Sequence, residues 1–161
     1  MAKEKIIKTN ALRILDSNRI IYQVRTYVAP DGFLDGVSVA VSVGLDPSEV
    51  YKTLVLQNSA NEHFVCVIPV DRELDLKKVA RHFGAKRIEM ILAKDITPVT
   101  GYIKGGCSPV GMKKAFRTAF AQQASTLDDI TVSAGKVGLQ MTLKVSDLIK
   151  ITNADFADLT E

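Results

Sequence analysis

The sequence predicts a mixed α/β domain, with a mixed or antiparallel sheet and helices around it. Strand-like segments outnumber helical ones along the chain. Two of them, residues 49–57 (EVYKTLVLQ) and 63–70 (HFVCVIPV), flank the polar turn 58–62 and form the clearest hairpin. A basic amphipathic stretch that stops at a glycine supplies the clearest helix. The length, 161 residues, favours a single domain over 1–161 with one substantial core.

The elements follow in order. Residues 5–18 carry Ala11, Leu12, Ile14 and Leu15 at helical spacing, and Thr9 or Asn10 suits the start. Residues 20–28 (IIYQVRTYV) are β-branched and aromatic and read as a strand, closed by the turn Asp31-Gly32. Residues 37–43 (VSVAVSV) alternate like a strand, but Gly44 looks like a helix C-terminal glycine and Asp46-Pro47-Ser48-Glu49 opens a further turn, so a short helix is predicted. After the hairpin, residues 75–83 form the basic helix, with Leu76, Val79, Ala80 and Phe83 inward and Gly84 as its stop. Residues 87–91 read as a short strand, and 94–114 as one long irregular segment. Strands are predicted at 115–120, 130–133 and 139–144. A helix capped by Ser146 then runs to about Ile151, and 156–159 form a last short strand.

Composition narrows the function. The chain is 47% hydrophobic and 24% charged, ordinary for a soluble globular protein. No apolar run approaches the ~20 residues that span a bilayer, and MAKEKIIKTN is charged at once, so a cytoplasmic protein without membrane partners is expected. Cys66 and Cys107 are expected as free thiols. His63 and His82 are the only histidines, are expected at the surface, and make no zinc-like spacing, so no metal is expected. The net charge of +3 permits a polyanionic partner without demanding one. Lys77, Lys78, Arg81, Lys86 and Arg87, and again Lys113, Lys114 and Arg117, form basic clusters that read either as solvated faces or as phosphate contacts.

The segment 101–111, GYIKGGCSPVG, has four glycines and a proline in eleven residues. It predicts a shaped loop whose backbone N–H groups are free to face a ligand. Lys52 interrupts an apolar strand; alternation puts it with Leu54 and Leu56, opposite Tyr51, Thr53 and Val55. Such a lysine either snorkels to the rim or lines a pocket. The segment 133–138 (SAGKVG) is most simply a hairpin loop, and it also brings Ser133 and Lys136 towards a shared cleft. Cys107 sits in the first loop, where free amides would lower a thiol pKa, but neither histidine is placed to be its base; a small packed residue is the preferred reading.

Taken together, TNALRILD at 9–16, VRTY at 24–27, GLDPSEVYKTLV at 44–55, LDLKKVARHFGAKRIEM at 74–90, GYIKGGCSPVGMKK at 101–114 and VSAGKVGLQ at 132–140 resemble the YbaK/EbsC family of aminoacyl-tRNA deacylases. These are free-standing relatives of the editing domain inserted in bacterial prolyl-tRNA synthetases. The resemblance implies a curved, barrel-like sheet of about six or seven strands surrounded by helices. It implies that Lys52 is the critical lysine, that Tyr27 and Thr53 share its pocket, that Gly105, Gly106, Ser108 and Pro109 form the substrate-binding loop, and that Ser133 belongs to the second loop. No cofactor and no metal are implied. The implied partners are the acceptor end of mischarged tRNA and, as a candidate, prolyl-tRNA synthetase. The implied reaction is removal of cysteine from Cys-tRNA(Pro) or Cys-tRNA(Cys), by attack of the substrate's own thiol or by hydrolysis.

The chain departs from the family pattern where an aromatic-glycine pair is common: it reads Asp35-Gly36, with Phe33 two residues earlier. Ala134 and Val137 replace residues of the second loop, Gln140 stands where an acid is common, and Cys107 replaces an isoleucine. These changes bear on the amino acid accepted. Another small aminoacyl group, such as alanine on tRNA(Pro), and a non-catalytic tRNA- or nucleotide-binding module stand as the alternatives.

Overall fold

The computed structural model describes residues 8–161. Eight strands divide between two sheets. β1 (Tyr22–Thr26), β7 (Leu139–Lys144) and β6 (Asp129–Lys136) form the smaller, all antiparallel. The larger has the order β4 (Ile88–Met90), β2 (Tyr51–Asn58), β3 (His63–Pro69), β5 (Arg117–Ala121) and β8 (Asp155–Ala157). Within it, β2 pairs antiparallel with β3 and β4, whereas β3–β5 and β5–β8 are parallel. A parallel bridge between Val50 and Thr131 joins the sheets. The mixed α/β class therefore holds, with eight strands among the described residues in two bridged sheets where one curved, barrel-like sheet of about six or seven was expected.

The first helix, α1 (Asn10–Ser17), starts where expected: the Thr9 hydroxyl accepts from the Leu12 N–H at 3.2 Å. The part of this prediction on residues 5–7 lies outside the described residues. β1 is shorter than its apolar run because Ile21 and Val28 project into solvent, 88% and 84% exposed. The alternating run 37–43 is helical, as α2 (Gly36–Ser42). Asp35 caps it through the Ser38 N–H at 3.0 Å. Gly44 takes φ +75° and Leu45 N–H reaches back to the Ala40 carbonyl at 2.9 Å, a closure that needs a left-handed residue. These end signals outweigh the period-2 pattern. Only Val39 and Ala40 are buried, and Ala40 packs with Val50 and Val70.

α3 (Leu76–Phe83) buries Val79, Ala80 and Phe83, while Leu76, expected inward, is exposed at the first turn. Its cap is Asp75, whose carboxylate accepts from the Lys77 and Lys78 N–H groups at 3.0 and 3.2 Å. The irregular segment expected over 94–114 is in part regular: a 3-10 turn (Ala93–Asp95) leads into α4 (Ile96–Thr100). Pro98 sits in the first turn of α4, where its missing N–H costs nothing. α5 (Val145–Thr152) follows β7 directly, without the expected Ser146 cap; the Val145 N–H is satisfied by the Asp128 carbonyl at 2.9 Å. β8 lies one residue earlier than predicted and ends sooner. Leu159 instead accepts from the Asp75 N–H at 2.8 Å and Thr160 bridges to Leu74. Neither histidine is a free surface residue: His63 packs edge-on against Phe116, and His82 contacts Asp155 at 3.1 Å. No helix among the described residues is long and apolar enough to cross a membrane.

Leu12, Leu15, Leu56, Ile68, Phe120, Ile130, Met141 and Leu148 form the centre of the core, which both sheets and three helices share. Asp75→Ala removes the acceptor for two helix-terminal N–H groups. It is expected to lower stability by about 1 kcal/mol, read as a reduced urea midpoint at unchanged slope.

Candidate functional site

A cleft of about 440 Å³ opens between the two sheets, α2 and the glycine-rich segment. The first loop that walls it, 101–111, is held from inside. The buried ring of Tyr102 spans it, and its hydroxyl donates to the Val110 carbonyl at 2.5 Å. The Thr100 hydroxyl accepts from the Tyr102 N–H at 3.0 Å, the Gly106 N–H bonds the Ile103 carbonyl at 3.0 Å, and the Ser108 hydroxyl accepts from the Val110 N–H at 3.2 Å. Asn10 on α1 donates to the Gly111 carbonyl at 2.9 Å. The N–H groups of Gly105 and Cys107 take no part in these bonds, and both residues line the cleft.

The second loop is the β6–β7 hairpin. A bulge falls between Ser133 and Lys136, and the Ser133 hydroxyl accepts from the Gly135 N–H at 3.1 Å. Thr9, the cap of α1, also donates to the Ala134 carbonyl at 2.5 Å. The two loops then meet directly: a Cβ on Gly106 would lie 2.8 Å from the Val137 nitrogen and 3.0 Å from the Lys136 carbonyl carbon. Only a glycine permits that approach. Just past β1, the Tyr27 N–H bonds the Gly138 carbonyl at 2.9 Å, so the second loop also positions Tyr27.

Lys52 lies on β2 opposite Ile68 and lines the cleft together with Tyr27, Thr53, Gly105 and Ser133. Its side chain is 29% exposed, and its ammonium is 3.9 Å from a Glu73 oxygen. Glu73 itself is largely in solvent, so the pair is weak. Of the two readings of Lys52, the structure therefore places it on a cavity wall. Gly106, Ser108 and Pro109 are buried behind that wall and do not line it: Gly106 joins the loops, and Ser108 is used inside its own loop.

Of the other lining residues, Phe33 and Gln140 were marked by the departures from the family pattern, whereas Tyr51, Met90 and Lys104 carried little sequence signal. Tyr51 and Gln140 lie on the floor, almost fully buried, and Phe33, Lys104 and Met90 stand at the mouth. The buried side-chain oxygens of Tyr51, Thr53 and Gln140 have no hydrogen-bond partner. Of four such atoms among the described residues, three belong to this one cleft. Stability alone disfavours such orphans, which concentrate where a structure serves a ligand. Burial, with the Asp71 charge second, pushes the Tyr51 phenol up to about 12. Burial also pushes the Cys107 thiol up to about 11, opposite to the lowering expected from free loop amides. Tyr102, pinning the first loop, was equally hidden; a lone aromatic in a glycine run is the only clue to it.

Comparison with known proteins follows the same lines. Residues 36–151 match the family described as "Aminoacyl-tRNA editing domain". The chain is 42% identical over 161 residues to a protein of Enterococcus faecalis named "Putative Cys-tRNA(Pro)/Cys-tRNA(Cys) deacylase EbsC", covering 99% of this chain and 98% of that one. It is 23% identical to the Escherichia coli "Multifunctional Ser/Thr-tRNA deacylase ProXp-y", with 98% and 95% of the two chains covered. Among solved structures, "Crystal structure of a putative trans-editing enzyme for prolyl tRNA synthetase" superposes with a TM-score of 0.82 at 20% identity, over 97% of this chain and 99% of that chain, which shows the same fold.

Two outcomes test this geometry. Gly106→Ala forces the loops apart at the backbone and is expected to cost ~1–3 kcal/mol, seen as a lowered thermal midpoint. With its pKa near 11, Cys107 is expected to alkylate with iodoacetamide at pH 8 roughly a hundredfold more slowly than an ordinary exposed thiol, the rate rising up to about pH 11. Peptide mass analysis after timed labelling reads it.

Proposed function

Since the chain belongs to the aminoacyl-tRNA editing domain family, we propose that it is a free-standing deacylase that clears cysteine from Cys-tRNA(Pro), and from Cys-tRNA(Cys). One observation carries the reading. Lys52, Tyr27 and Ser133 line a single cleft together with Gly105 and Cys107, whose N–H groups take no hydrogen bond among the described residues.

An ester between an amino acid and a ribose hydroxyl is already activated. The enzyme must hold it and stabilise the negative charge that grows on the carbonyl oxygen. Lys52 and the loop amides are donors of the right kind, fixed before the substrate arrives. The nucleophile comes from elsewhere. A cysteinyl substrate carries a thiol that reaches its own carbonyl: sulfur attacks, the ribose oxygen leaves and takes a proton, and the amino acid departs as a cyclic thioester. Water attack gives free cysteine instead. Cys107, protonated at neutral pH, is a poor nucleophile and forms part of the wall.

Specificity follows the logic of a second sieve, because synthetases separate small side chains poorly by binding alone. The action belongs in the cytoplasm, on the acceptor end of tRNA, with prolyl-tRNA synthetase as the candidate partner that hands it over.

Lys52→Ala is expected to lower kcat/KM on cysteinyl-tRNA by roughly a hundredfold or more at an unchanged melting temperature. Retained activity would remove Lys52 from the mechanism. Mass analysis of the released product separates cyclic thioester from free cysteine. Parallel assays with alanyl-, seryl- and cysteinyl-tRNA fix the amino acid; a rate order led by alanine would overturn the cysteine assignment, and binding without ester loss would overturn the enzyme.

A further inference from the structure

The mouth of the cleft carries an aromatic ring that nothing in the fold explains. Phe33 lines the cleft yet is 56% exposed, and it takes part in none of the aromatic pairs found among the described residues. The chain fixes its position on both sides. Before it, the turn Pro30–Gly32 holds Asp31 and Gly32 at positive φ, and the Phe33 N–H closes that turn on the Pro30 carbonyl at 3.1 Å. After it, Asp35 is locked as the cap of α2. Across the mouth, the first glycine loop sends Lys104 over the ring, its ammonium 5.9 Å from the centroid. Lys104 is itself exposed and lines the same cleft.

We propose that Phe33 is a stacking platform for the terminal adenine of the aminoacyl-tRNA, with Lys104 as the partner of the phosphate beside it. The inference rests on the deacylase reading and extends it to the leaving group. If the acyl bond lies by Lys52, the ribose sits in the cleft and its base and 5′ phosphate must emerge at the mouth. A cavity of about 440 Å³ is near the small end of ligand pockets and suits the acyl group and sugar better than a whole nucleotide. A preset aromatic face outside the cavity is what a base needs, since every base has a π-face to stack. The cation–π contact with Lys104 is at the outer limit of its range, so an arriving base displaces it at small cost. The freed ammonium then meets a phosphate, where a mobile cation serves well.

The test compares wild type with Phe33→Ala, Phe33→Leu, Phe33→Tyr and Lys104→Ala by steady-state deacylation of cysteinyl-tRNA. Phe33→Ala is expected to raise KM about tenfold with kcat little changed. Phe33→Tyr should restore KM and Phe33→Leu should not. Lys104→Ala should raise KM less at high salt than at low salt. Rescue by leucine would make Phe33 an apolar cover and overturn the proposal, as would an unchanged KM in Phe33→Ala. A second arm needs no turnover: adenosine 5′-monophosphate, titrated into wild type, should shift the Phe33 ring protons upfield in NMR spectra, and no shift would overturn the platform. A wild type that shifts but cleaves no aminoacyl-tRNA keeps the adenine site and removes the deacylase reading, so the two failures are distinguishable.

Discussion

The close approach of Gly106 to the backbone of Lys136 and Val137 is the contact on which the rest of the site depends. It brings together two loops that come from opposite ends of the molecule's topology. One follows α4 and leads into the larger sheet; the other turns the hairpin of the smaller sheet. Besides the shared core, one backbone bridge among the described residues, Val50 to Thr131, joins the sheets, and a further backbone tie fixes their relative position near the cleft. The glycine contact is that tie. Tyr102 reinforces it from the other side: a Cβ on Gly135 would lie 2.8 Å from the ring, so this aromatic fills the space between the loops. α1 adds two polar tethers, Thr9 to Ala134 and Asn10 to Gly111, one to each loop. Lys52, on a central strand, then faces a wall whose geometry is set by packing and not by ligand.

This arrangement spends stability on function in a visible way. Burying a polar oxygen without a partner costs on the order of 1–3 kcal/mol, and Tyr51, Thr53 and Gln140 each carry one beneath the cleft. Elsewhere the fold satisfies its polar groups economically: Asp35, Asp46 and Asp75 each accept from a nearby turn or helix N–H, and Val145 finds a carbonyl from a preceding loop. Three of the four orphans among the described residues therefore gather at the cleft, and only the Gln123 side-chain oxygen lies outside it.

Much of this was legible from the residues. The hairpin, the α3 stop at Gly84 and the helix over the alternating valines follow from turn and cap chemistry, which acts over a few residues and leaves local marks. The glycine composition pointed to the loop of Gly105 and to Ser133, whereas Tyr27 and Thr53 were reached through resemblance, and spacing alone left Lys52 divided between rim and pocket. What stayed hidden depends on the tertiary fold. α4 was lost because 94–114 reads as one irregular segment with the glycine-rich loop, and five residues leave little helical pattern of their own. Ser146 looked like a cap because nothing in the sequence says that Asp128 satisfies the first N–H of α5. Tyr51 sits on a strand among apolar neighbours, and only the tertiary fold brings it to the floor of the cleft beside Gln140, which the departure from the family pattern had already marked.

Cys107 has one more consequence. Under the proposed function, the pocket would receive a sulfur-bearing amino acid while holding a sulfur of its own in the wall, which risks trapping that amino acid as a mixed disulfide whenever an oxidant is near. Exchange of that kind proceeds through the deprotonated partner. By keeping this residue in its neutral form far above physiological pH, the surrounding protein makes it chemically silent towards the visitor. The wall then gains a small, polarisable surface without becoming a competitor for the substrate it is meant to release.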